Sequence, residues 1–241
     1  MKLLEICASS YESVLAAAKG GADRIELCSV LSKGGVTPSA GLIKMARIAF
    51  PGIINVLVRP RPGDFLYSNF EIEEMINDIQ FCADERIDGV VIGVLDKYAR
   101  IDKRLSKKMC KFAKSLGLST TFHRAIDCTV DSEQYIEDVI QCDFDRILTS
   151  GGLPTAEEGK EVIKNMIKRA DGRIIIMPGS GINENNIASI AKYTGATEFH
   201  MSASKTYDSK MLVIGGIAQS EKVVYSDVKI IKTVRKILRE I

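Results

Sequence analysis

Two short segments near the start of the chain each carry a carboxylate two residues ahead of a thiol: Glu5 and Cys7 in LEIC, Glu26 and Cys28 in IELC. In an extended strand alternate side chains face opposite sides, so each pair shares a face. Arg24 joins Glu26 and Cys28, while Leu4, Ile6, Ile25 and Leu27 pack the other way. Carboxylates so placed can give or take protons at a reacting centre. Further on, FHRAID sets His123 beside Arg124, with Asp127 four residues beyond, a grouping suited to an oriented acid or base. RPRPGDF places Arg59, Arg61 and Asp64 on a proline-stiffened loop that can clamp an anion. Three later segments are rich in small residues: TSGG with Ser150 and Gly151, PGSG with Gly179 and Gly181, and MSAS with Ser202. Glycine-rich backbone after the last strands of a barrel is where phosphate is often cradled.

Each group also admits a structural role. Glu5, Glu26, Arg24 and Arg59 could satisfy one another as a closed ion-pair network, since buried charge is costly unless paired. A histidine at a strand end can be fully hydrogen-bonded, and glycines are needed in tight turns.

These side chains need elements to hold them. β-like runs begin near Leu3, Arg24, Ile54, Gly89, Ser119, Arg146, Ile174 and Glu198, between 21 and 35 residues apart. Amphipathic stretches separate them: Tyr11–Lys19, Ser39–Phe50, Ile72–Glu85, Lys103–Leu116, Ser132–Gln141, Ala156–Ala170 and Asn183–Tyr193, with Asp227–Glu240 last. Asp131 and Asn183 resemble helix caps, and Gly20, Gly117 and Gly195 helix stops. Strict alternation predicts parallel strands joined by right-handed crossovers. Eight units predict an α/β protein built as a single (β/α)8 TIM barrel spanning residues 1–241, with a long loop at about 204–226. The competing doubly wound sheet lacks its glycine fingerprint, because the first turn reads Cys7-Ala8-Ser9-Ser10. On this parity Asn55 shares a face with Arg59, while Thr121 and His123, and Glu198, His200 and Ser202, also point inward, where Val, Ile and Leu are usual.

Composition narrows the class of function. The chain has 241 residues, 46% hydrophobic and 27% charged, which excludes disorder and a disulfide scaffold. A net charge of +2 argues against nucleic acid as a partner. The basic stretch Lys229–Arg239 reads as the solvated face of a terminal helix. Glu5 interrupts any signal-peptide core, and Met211–Ala218 is too short to span a membrane, so a cytoplasmic location is expected. Six cysteines without a C-x-x-C pair are expected as thiols, and not as a structural zinc site. No outer helix shows an interface stripe; a homodimer is expected only because dimers are common.

LEIC, GADRIELC, GGVTPS, RPRPGDF, FHRAID, LTSGG and GSGI, in this order, resemble the CutC family over nearly the whole chain. The resemblance implies a (β/α)8 barrel, a cytoplasmic location and a link to copper homeostasis and copper-ion binding. The family's pattern falls on Glu5, Arg24, Glu26, Cys28, Arg59, Arg61, Asp64, His123, Arg124, Asp127, Ser150 and His200, and Cys7 and Cys28 match the cysteines invoked for copper. Pro62 stands where a glycine is common, and Met201 where a small residue is.

Two readings of function follow. Thiolates prefer Cu(I), and Cys7 and Cys28 lie on strands about 4.8 Å apart, so one ion could bridge them; copper is the only cofactor implied. Alternatively Glu5, Glu26, Asp127 and His123 act as acids and bases on a small anionic, phosphorylated metabolite held by the arginines and the Gly/Ser loops. Lys205 is a weaker Schiff-base candidate. A sensing module would use the same pocket without turnover.

Overall fold

The computed structural model describes residues 2–131, 134–208, 210 and 222–241. Eight parallel strands form a nearly closed barrel: β1 (Leu3–Ala8), β2 (Arg24–Leu27), β3 (Ile53–Leu57), β4 (Gly89–Ile92), β5 (Ser119–Phe122), β6 (Arg146–Thr149), β7 (Ile175–Pro178) and β8 (Glu198–Met201). Hydrogen-bonded pairing runs β7-β6-β5-β4-β3-β2-β1-β8, and the two remaining edges, β7 and β8, lie side by side. The fold is a (β/α)8 TIM barrel.

Among the described residues seven α-helices return the chain between barrel strands and an eighth follows the last strand: α1 (Tyr11–Gly20), α2 (Ala40–Ala49), α3 (Asn69–Asp84), α4 (Lys103–Ser115), α5 (Ile136–Gln141), α6 (Lys160–Ala170), α7 (Ile187–Thr194) and α8 (Val228–Glu240). Their apolar faces meet the outward side chains of the strands, so Leu4, Ile6, Ile25, Leu27 and Phe199 are buried in one continuous core. Each large apolar side chain buried there contributes about 1.5–3 kcal/mol.

Local chemistry sets the element ends. Ser10 caps α1 by accepting the Ser13 N–H at 3.2 Å, and Ser68 and Glu71 form a reciprocal capping box on α3. Gly21, in the left-handed region at φ 78°, ends α1. Gly20, expected as the stop, is the last helical residue; a Cβ there would sit 2.4 Å from Ile231, so it lets α8 approach. The cap expected at Asn183 lies one turn early. Asn183 N–H donates to Asn186 Oδ1 at 2.8 Å, and α7 starts only at Ile187. The start expected for the fifth helix at Ser132 lies outside the described residues.

Two departures matter. The connection after β8, expected to be irregular over 204–226, begins and ends in an antiparallel hairpin of β9 (Ser204–Tyr207) and β10 (Val223–Ser226). Its base is tied to α1, where Ser226 N–H donates to Ser13 Oγ at 3.1 Å. Met211–Ala218 and most of the rest of the intervening loop fall outside the described residues. Nor is α8 solvated on its whole basic face: Arg235 is buried and pairs with Asp23 at 2.6 Å. No helix among the described residues is long and apolar enough to cross a membrane.

Candidate functional site

Strand parity carries the chemistry inward. Register places Glu5 opposite Arg24 and His200, and Cys7 opposite Glu26, so these side chains stack inside the barrel around the first, second and eighth strands. They occupy two levels.

The lower level is an ion network. Arg24 Nε bonds Glu5 and its Nη2 bonds Glu198, which also receives Arg146 Nε at 3.2 Å. Asn55 Nδ2 donates to Glu5 at 3.3 Å. Burial opposes the charge on Glu5, yet Arg24 and His200 outweigh it and hold the carboxyl at about 2. Burial also opposes the Arg24 charge, but Glu5 and Glu198 raise its pKa. Two carboxylates thus face two guanidinium groups. The network expected from Glu5, Glu26, Arg24 and Arg59 is therefore differently composed: Glu198 and Arg146 replace Glu26 and Arg59.

The upper level opens into a cavity of about 570 Å³ at the C-terminal ends of the strands, where barrel sites are built. Cys7, Glu26 and His200 line its floor, and Arg59, His123 and Arg124 its walls. Gly181 and Ser202 reach it from the loops after β7 and β8. Next to them Ser180 and Ala203 hold φ of 77° and 48°, unusual for residues with a side chain.

Glu26 is 5% exposed, and its Oε2 has no partner among the described residues while Oε1 lies 3.9 Å from Cys7 Sγ. Burial foremost, with Glu5 adding to it, lifts its pKa to about 7. Cys7 and Cys28 place their sulfurs 3.6 Å apart. Contact with Cys28 and burial push the Cys7 thiol well up. Leu57 and Val91 pack around the two sulfurs, and Cys28 lies behind the cavity wall. His200 Nδ1 lies 2.7 Å from Glu5 Oε1, which leaves Nε2 for the cavity side. Burial lowers the His200 pKa, but Glu26 and Glu5 reverse this and raise it.

His123 is held differently from the reading of an imidazole oriented by Asp127. Its Nδ1 accepts the Ala125 N–H at 3.1 Å, so the proton sits on Nε2, which is buried without a partner among the described residues. Burial first, then Arg59, drop its pKa to about 3, so the ring is neutral near pH 7 and can donate but not carry charge. Gly93 was not singled out in the sequence; a Cβ there would lie 2.5 Å from His123 Cε1, so only glycine fits beneath the ring. Its signal was a glycine directly after VVI of β4.

Several residues grouped by the sequence serve the frame instead. Asp127 accepts Arg124 Nε at 2.8 Å and the N–H groups of Ser150 and Gly152 at 3.0 and 3.1 Å, locking the loops after β5 and β6 together. Gly151 at φ 75° packs against Gly159. Gly179 lets β7 pass close to Leu148 and His200, since a Cβ there would meet Leu148 Cδ1 at 2.5 Å and His200 Cδ2 at 3.3 Å. The arginine pair is divided. Arg59 lines the cavity with its Nη groups spent on the carbonyls of Gly35 and Gly63 at 2.8 and 2.7 Å. Arg61 points away, paired with Asp64 at 3.0 Å and with Glu71 of α3. Lys205 pairs with Asp227 at 3.0 Å on the hairpin.

Residues 2–205 match the CutC family. The chain belongs to the CutC family. The CutC family protein of Parabacteroides distasonis is 47% identical over 211 residues, covering 87% of this chain and 86% of its own. The human copper homeostasis protein cutC homolog is 45% identical over 209 residues, 87% of this chain and 76% of its own. A CutC crystal structure from Streptococcus agalactiae superposes with a TM-score of 0.78 at 31% identity, over 84% of this chain and 99% of that one. The CutC match ends at residue 205, so it takes in every cavity and network side chain described above and stops as the hairpin begins.

Proposed function

We propose that the protein takes part in copper homeostasis by binding Cu(I) through Cys7 and Cys28. The observation that carries this is the pair of buried sulfurs 3.6 Å apart, beside the floor of the cavity. The donors suit the ion, because thiolates select Cu(I). With the zinc–thiolate length of roughly 2.3 Å as an upper guide, linear coordination would set the sulfurs at most about 4.6 Å apart, an opening of no more than about 1 Å from 3.6 Å. The human relative's name supports the same reading. So do six free thiols, which suit a reducing cytoplasm. Loading would have to displace the Cys7 proton, and so weakens as pH falls. An anaerobic Cu(I) competition titration tests it: one tight ion per chain, lost in Cys7→Ser and in Cys28→Ser, is expected. Binding indifferent to either substitution overturns it.

A second reading is favoured by two polar atoms without a partner among the described residues, His123 Nε2 and Glu26 Oε2, on residues facing the same cavity. A neutral imidazole donor opposite a carboxyl near 7 can polarise a carbonyl and move a proton beside it. That suits a small anionic, phosphorylated metabolite near Arg59 and Arg124. The test is a thermal-shift screen of phosphorylated sugars: saturable stabilisation lost in His123→Asn is expected, and stabilisation unchanged in the variant counts against it.

A further inference from the structure

We infer that Cys7, Glu26 and His200 form a three-ligand site for a divalent ion of the zinc class, with its fourth position open to the cavity. Their ligand atoms all lie within 4.8 Å of one another, on three side-by-side strands, and all three residues are buried. Tetrahedral bonds of roughly 2.0–2.3 Å bring ligand atoms to about 3.3–3.8 Å from one another, within reach of small side-chain adjustments.

Independent features point to the same ligand. The Glu26 Oε2 atom is buried and has no partner among the described residues, on a residue 95% withdrawn from solvent. A lone pair left so is expensive unless something binds it. His200 is already oriented as a metal ligand would be: Glu5 holds Nδ1 at 2.7 Å, the carboxylate–histidine arrangement that fixes the ring and leaves Nε2 free. Charge also balances. A thiolate and a carboxylate neutralise a divalent ion, whereas the network beneath, two carboxylates against two arginines, is already neutral. The mixed sulfur, oxygen and nitrogen set suits zinc better than a hard cation. All three residues border the 570 Å³ cavity, so a water or a substrate oxygen can reach the fourth position.

This site shares only Cys7 with the copper reading and makes no use of Cys28, so the two stand or fall separately. The probe is Co(II), a spectroscopic substitute for Zn(II), added to metal-free protein, with Zn(II) competition for affinity. One Co(II) per chain with a thiolate-to-metal charge-transfer band is expected. Cys7→Ser should abolish the band, Glu26→Gln and His200→Asn should weaken binding at least tenfold, and Cys28→Ser should leave it intact. No band, or a band unmoved by Glu26→Gln and His200→Asn, overturns the site. So does its loss in Cys28→Ser. If the Glu26 and His200 variants do not fold, the zinc-edge X-ray absorption spectrum of the wild type decides. One sulfur with nitrogen and oxygen neighbours supports the site; two sulfurs or none overturns it. Loss of Cu(I) binding alone in Cys28→Ser, with Co(II) retained, separates the two readings.

Discussion

His200 Nδ1 and Glu5 Oε1 lie 2.7 Å apart inside the barrel, joining β8 to β1 through side chains as well as through the ladder. The same carboxylate answers Arg24, so one fully buried group holds a cation and an imidazole together.

Removing that charge should therefore be costly. Glu5→Gln strips Arg24 of one of its two carboxylates, and breaking a buried pair typically costs about 3–5 kcal/mol. Urea denaturation should show a loss of that order. A midpoint equal to wild type would mean that the network contributes nothing to stability.

His123 makes acid stability pH-dependent in a definite direction. Its ordinary pKa is 6.5 and its folded value about 3. Between these the unfolded chain binds the proton and the folded chain does not, so stability falls as pH falls through the window. The slope is at most about 1.4 kcal/mol per pH unit. Measured as a difference from His123→Asn between pH 6.5 and 4.5, the wild type should lose ground steadily. A constant difference would show that the ring charges as easily in the fold as in water.

Asp127 is expected to act on loops and not on protons. Asp127→Ala leaves the N–H groups of Ser150 and Gly152 without their carboxylate. A loss of about 1–3 kcal/mol and faster amide exchange at residues 150–153 should follow. Protection unchanged at those amides would return Asp127 to the list of acid–base candidates.

Gly93→Ala tests the seat of His123. The added methyl meets the ring at 2.5 Å, and overpacking of this kind costs about 1–3 kcal/mol. Lower melting temperature is expected, together with a displaced His123 imidazole signal by NMR. An unmoved signal would show that the ring has room.

Strand starts, the inward parity of LEIC and IELC and the barrel itself were legible in the residues, because alternation along a strand and spacing between strands are local properties. Which face of its strand holds each charge follows from that parity too. Partner choice does not. Whether Arg24 pairs with Glu198 or Glu26 depends on the relative height of strands far apart in sequence, and closure of the barrel decides that. Loops are harder still. RPRPGDF reads as two arginines aimed at an anion, but Glu71 on α3 and the carbonyls of Gly35 and Gly63 take them first. Cys7 and Cys28 could be paired from adjacent strands, whereas His200 joins Cys7 and Glu26 only because β8 closes against β1. The sequence by itself determined which side chains line the barrel; the tertiary structure alone decided which of them remain unpaired, because pairing depends on three-dimensional distance.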